Sequence, residues 1–252
     1  MKSHFLASSL FVLTCSTALG ADDDLTAPVS LPLPPGGVIS SECGPRNDLQ
    51  EVELYDGSLG VDIAYVQKNE PSTVQLQWLD EAAIKDAGFS PGNVAGERWC
   101  TGTLFNGRFV LTAGHCLDVQ DDPDGWLSPS TLKDGKVVRA EPDALAKLMK
   151  INFRYQIDAS TMQVHVPPVS FPVVRLVEHR AGPDKLDYAI LELGPDESGQ
   201  LPPYPSATID VRAARVGEML GIMQHPQGHP KKIEAGLVTS LNGPRILYND
   251  LD

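Results

Sequence analysis

Positive charge is in short supply. Lys and Arg number 20 against 33 Asp and Glu, for a formal net charge of −13 and a pI of about 4.8. A nucleic-acid binder carries a basic face, so that class of partner is excluded. After the first twenty residues there is no apolar stretch long enough to cross a bilayer, and there is no internal repeat. Long uninterrupted helix-forming segments are missing too, because 22 Gly and 21 Pro are scattered through 252 residues. That excludes a coiled coil or long helical bundle and favours short strands joined by turns. What is present suits a soluble globular chain rather than a disordered one: 42% hydrophobic and 21% charged residues.

Residues 1–20, MKSHFLASSLFVLTCSTALG, have the form of a secretory signal peptide. Lys2 supplies the positive start, Phe5 to Leu13 the short apolar centre, and Ala18 and Gly20 the small residues before a cleavage site. An uncleaved anchor, a buried strand and a lipoprotein cysteine at Cys15 are the alternatives, the last in a poor context. Cleavage removes Lys2 and leaves a charge of −14. The expected location is then secreted or periplasmic, with no membrane contact after cleavage. Residues 21–41 are acidic and then Pro/Gly-rich, and they are expected to form a disordered leader or propeptide. Of the 4 cysteines, Cys15 leaves with the signal, so Cys43, Cys100 and Cys116 remain. In an oxidising compartment cysteines pair, and an odd number leaves one without a partner in this chain.

Strand patterns follow along the chain. Residues 52–66 (VELYDGSLGVDIAYV) hold short apolar runs around Asp56-Gly57, and 74–79 (VQLQWL) alternate apolar and polar. Residues 81–88 read as one short helix ending at Gly88. Residues 98–116 read as two strands around the hairpin signal Asn106-Gly107. The best helical stretch is 141–150, with Pro142 near its start. Strands are expected at 151–157, 162–166, 173–177, 188–193, 216–223, 233–241 and 245–248. Many short strands with little helix point to an all-β barrel or sandwich.

The most specific feature is Trp99-Cys100-Thr101-Gly102-Thr103-Leu104 followed by Val110-Leu111-Thr112-Ala113-Gly114-His115-Cys116. This pair of strings resembles the histidine region of trypsin-like serine proteases. The resemblance implies a strand that delivers His115 to a turn, with Ala113 and Gly114 leaving room beside the ring. It also implies a Cys100–Cys116 disulfide that fixes the turn. Such a closure is worth about 3 kcal/mol on the loop-entropy model. Leu186-Asp187-Tyr188-Ala189-Ile190-Leu191-Glu192-Leu193 is similar to the family's aspartate strand. It implies that Asp187 accepts from His115 Nδ1 and holds the ring's tautomer. The order His then Asp matches that family, although the 72-residue separation is long for it. Gly221-Ile222-Met223-Gln224-His225-Pro226-Gln227-Gly228, with Gly236-Leu237-Val238 after it, resembles the strand pair opening the second barrel of glutamyl-endopeptidase-like bacterial proteases.

Metal binding is not expected. His225 and His229 are four apart, but Pro226 and Gly228 prevent one helix face from presenting both rings. Asp118, Asp121, Asp122 and Asp124 fail the EF-hand spacing and read as an acidic loop. The resemblance implies no cofactor.

A serine nucleophile is the missing part. Ser58 lies before the histidine, Ser198 in a polar loop soon after Asp187, and Ser240 on an apparent strand. None has the glycine-flanked turn that exposes Oγ and supplies oxyanion-hole amides. The expected organisation is a trypsin-like double β-barrel, the first barrel complete over 42–193 and the second partial over 194–252. His115 and Asp187 are the candidate catalytic residues, and Asp158 is the next acid should Asp187 fail. The expected function is a secreted serine endopeptidase acting on protein or peptide, truncated before its serine and inactive as it stands. The alternatives are a non-catalytic homologue that binds, and a gene remnant.

Overall fold

Two positive-φ residues set the first hairpin. Asn106 at φ 47° and Gly107 at φ 77° take up left-handed backbone and, with Arg108, make the three-residue loop that sets Phe105 opposite Phe109. They join two strands of a computed structural model that describes residues 48–117, 126–165, 168–181, 186–242 and 245–248. In chain order the strands are β1 (Gln50–Glu51), β2 (Thr73–Trp78), β3 (Arg98–Phe105), β4 (Phe109–Thr112), β5 (Ser130–Lys133), β6 (Lys136–Arg139), β7 (Met149–Phe153), β8 (Val169–Arg180), β9 (Tyr188–Leu193), β10 (Met219–Gln224), β11 (Lys232–Asn242) and β12 (Arg245–Tyr248). The helices are short: α1 (Ile63–Asn69), α2 (Glu81–Asp86) and α3 (Pro142–Lys147).

The all-β double-barrel expectation holds. Six antiparallel strands close a barrel in the order β2-β3-β4-β9-β8-β7. Alternation on β3 and β4 turns Cys100, Leu104 and Val110 inward, where they meet Leu76, Ile151, Phe153, Phe171 and Leu191. Each such side chain contributes about 2 kcal/mol on burial. The remaining major sheet is open: β11 lies between β1 and β10, and β12 also pairs with β11. Its cluster of buried apolar residues is small, consisting of Val52, Tyr55, Val66 and Ile233. β5 and β6 form a separate hairpin.

Several elements depart from the sequence reading. Residues 52–66 form no strand; they give a 3₁₀ turn at Val52–Leu54 and then α1. The Asp62 carboxylate accepts from the amides of Ala64 (2.7 Å) and Tyr65 (3.1 Å), and this N-cap outweighs the strand preference of the residues around it. The segment packs on β11 rather than on the barrel, since Gln50 pairs with Ile233. The strand expected at 151–157 stops at Phe153, because Arg154 turns to φ 56°. Around 162–165 there is only a bridge between Ile157 and Val164, beside Met162 at φ 56°.

A polar seam joins barrel and sheet. Lys231 is fully buried, and its Nζ donates to Glu70 O (2.8 Å), Glu70 Oε2 (2.7 Å) and Gln156 Oε1 (2.8 Å). Gln156 in turn donates to Glu53 Oε1 at 2.7 Å. The His225 amide donates to Thr101 Oγ1 at 2.9 Å. The connection between the two halves is pinned to the barrel, where Tyr204 stacks on Phe153 at 4.4 Å and the Ala207 amide donates to Leu104 O.

Candidate active site

β4 ends at Thr112, and the chain tightens at once into a 3₁₀ turn over Gly114–Leu117 that carries His115. Two covalent and steric facts hold the turn. Cys116 is bonded to Cys100 on β3, as the resemblance implied. Gly114 has no room for a side chain, because a Cβ there would lie 2.1 Å from Arg180 O and 2.9 Å from Asp187 Oδ1. Thr112 Oγ1 donates to Thr101 O at 2.8 Å and ties the end of β4 back to β3.

Asp187 sits immediately before β9. The pairing of β9 with β4, Thr112 opposite Ala189, carries it to the His115 turn. Its Oδ1 accepts from the His115 amide at 2.8 Å and its Oδ2 lies 2.6 Å from His115 Nδ1. A carboxylate only accepts, so the Nδ1 side of the ring carries the hydrogen and the Nε2 lone pair of the neutral ring faces away. The His115 side chain is 58% exposed and that of Asp187 29%, so the free face of the ring is open to an incoming group. An oriented imidazole with an accessible Nε2 can take a proton from a hydroxyl and return it to a leaving group.

The other singled-out residues lie elsewhere. Asp158 faces His165, with 3.5 Å between Oδ2 and Nδ1, and not His115. Ser198 donates to Asp196 at 2.7 Å, Ser58 accepts from Gln50 at 2.7 Å, and Ser240 pairs with Leu247 across β11 and β12. Among the described residues no serine hydroxyl is hydrogen-bonded to His115. His225 meets the carbonyl, not the ring, of His229, so its Nδ1 is the donor. Burial first, and the nearby Lys231 charge second, push the His225 pKa down to about 3. The signal and leader expected at 1–41, Cys43 and the acidic run Asp118 to Asp124 lie outside the described residues. No helix among the described residues is long and apolar enough to cross a membrane.

A second cluster was not legible in the sequence. Glu53, Asp158 and His165 place their donor atoms within 4.8 Å of one another. Glu53 Oε1 is 2.6 Å from His165 Nε2. Burial works to raise the Glu53 carboxyl, but hydrogen bonds from Gln156, His165 and the Ala159 amide outweigh it and hold it below the ordinary range. Glu53 and His165 are 112 residues apart, and no local pattern signals the pairing.

A family model described as a trypsin-like peptidase domain matches residues 100–251. No match was found among curated proteins.

Proposed function

The chain belongs to the trypsin-like peptidase domain family, and we propose that it is the His–Asp portion of an exported serine endopeptidase of the glutamyl-endopeptidase-like type. The reading rests chiefly on one observation, the 2.6 Å contact between His115 Nδ1 and Asp187 Oδ2 beside an open Nε2. In the reaction His115 takes the serine proton at Nε2 as Oγ attacks the peptide carbonyl. The same proton then goes to the leaving amine. Asp187 keeps the ring in the Nδ1–H tautomer and stabilises the imidazolium. A cytosolic disulfide is rare, so the Cys100–Cys116 bond supports export.

In this reading the nucleophile is none of the described serines Ser58, Ser198 and Ser240, whose surroundings lie away from His115. A fluorophosphonate that labels activated serines tests this. The 252-residue protein is expected to stay unmodified. A polypeptide read on through the codons after Asp252 is expected to label at a glycine-flanked serine, and His115→Ala is expected to abolish that labelling. Stoichiometric labelling of Ser58, Ser198 or Ser240 would overturn the assignment. A stop codon directly after Asp252 would favour a binding homologue or a gene remnant.

A further inference from the structure

The histidine turn has a second grip, outside the His–Asp pair. His179, near the end of β8, places Nε2 3.0 Å from the carbonyl oxygen of Gly114. A carbonyl only accepts, so Nε2 of His179 carries the hydrogen. The carbonyl of Gly114 and the amide N–H of His115 belong to one peptide unit. In a trans peptide these two groups point in opposite directions. The N–H end of that unit donates to Asp187 Oδ1 at 2.8 Å. Both poles of the peptide that leads into His115 are therefore held, one by His179 and one by Asp187.

The sheet register explains how β8 reaches the turn. His179 lies opposite Ala189 on β9, and Ala189 lies opposite Thr112 on β4. The residue next to His179, Arg180, presents its carbonyl to Gly114 at a distance no side chain at 114 could share. Gly114 is buried, and the His179 ring is a second donor to its carbonyl, beside the Leu117 amide that the 3₁₀ turn supplies. Rotation of this peptide plane would swing the His115 Cα and separate the ring from Asp187 Oδ2. Hydrogen bonds in series along one amide also polarise each other, which strengthens the N–H bond to the carboxylate.

We propose that His179 is a positioning residue: it locks the Gly114–His115 peptide and so sets the orientation of the His115 ring against Asp187. The proposal rests on the His115–Asp187 reading above, and its test does not need the nucleophile. In the isotope-labelled 252-residue protein, two quantities report the geometry. One is the low-field Nδ1–H resonance of His115, and the other is the exchange rate of the His115 amide. His179→Gln keeps an N–H donor near the Nε2 position, whereas His179→Asn is too short and His179→Leu has none. His179→Gln is expected to keep the resonance and the slow amide. His179→Leu and His179→Asn are expected to lose the resonance to solvent exchange and to exchange the His115 amide about fivefold faster, the effect of one net hydrogen bond. Protection of the Leu191 amide on β9 shows that the barrel is intact. If His179→Leu does not fold, the Gln and Asn variants decide. The proposal is overturned if the Leu and Asn variants keep both signals, or if Gln loses both as they do. Absence of the resonance from the unsubstituted protein would instead sink the His115–Asp187 pair, and the amide rates would still judge His179.

Discussion

The barrel and the open sheet are built from the same kind of strand but hold together differently. The barrel closes on itself around a continuous apolar core that includes Leu76, Leu104, Ile151, Phe171 and Leu191, with a disulfide at its rim. The open sheet shares only a small apolar cluster with the 52–66 segment, Ile233 against Val52, Tyr55 and Val66, and leaves Met219, Leu237 and Leu241 exposed. What joins it to the barrel is polar: Lys231, Glu70, Gln156 and Glu53. His115 follows barrel strand β4, Asp187 immediately precedes β9, and His179 lies on β8. The groups that orient His115 belong to the barrel, so loosening of the second sheet is expected to leave that orientation unchanged.

The largest test of that division is at the seam. Lys231→Met removes one partner of a buried ion pair and strands Glu70, a change expected to cost about 4 kcal/mol. The loss is expected in the sheet: by hydrogen exchange Ile233 on β11 loses protection while Leu191 on β9 keeps it. Equal loss at both would make the two regions one cooperative unit and break the comparison. Next in size is the barrel's own staple. Replacing Cys100 and Cys116 by Ala together opens a loop of separation 16 and is expected to cost about 3 kcal/mol in urea denaturation, read from β9.

The smallest effect is a pH dependence at the seam. Folded His225 is held neutral down to about pH 3 by its burial and the Lys231 charge, whereas the unfolded residue titrates near the ordinary histidine value of about 6.5. Between these values the unfolded chain binds more protons, so stability is greatest above 6.5 and falls as the pH drops toward 3. From pH 6.5 to 4.5, above most carboxylate titration, the loss is expected to be about 2.5 kcal/mol. Urea midpoints at both pH values check this, and His225→Gln is expected to remove the slope. A slope unchanged in that variant would place the titrating group elsewhere.

The barrel's contribution was legible because its signals are local. Asn106-Gly107 marks a turn whatever surrounds it, and His115 lies between small residues and a cysteine one position on. Asp187 stood out as an acid at the head of an apolar strand. The seam left no such trace. Its contacts join residues 75 to 161 positions apart, and buried polar pairs follow no period. Lys231 reads in sequence as one of two ordinary lysines before a strand. The 52–66 segment misled for a different reason: its Val, Ile and Tyr content suits a strand, and only the Asp62 cap turns it into α1. His179 lay just past the strand expected at 173–177 and gave no hint that its ring reaches the carbonyl before His115.

The proposed chemistry depends above all on Asp187 orienting His115 for peptide hydrolysis. It is tested by kcat/KM for a peptide substrate in a polypeptide that supplies the nucleophile serine, with Asp187→Asn set against Asp196→Asn. Asp196 is the control because its carboxylate is satisfied locally by Ser198 and Gln200, away from His115. Asp187→Asn is expected to lower the rate by about 10⁴ through the wrong tautomer and a less stable imidazolium. Asp196→Asn is expected to stay within about twofold. Full activity in the Asp187→Asn protein, or an equal loss in both, would contradict the claim.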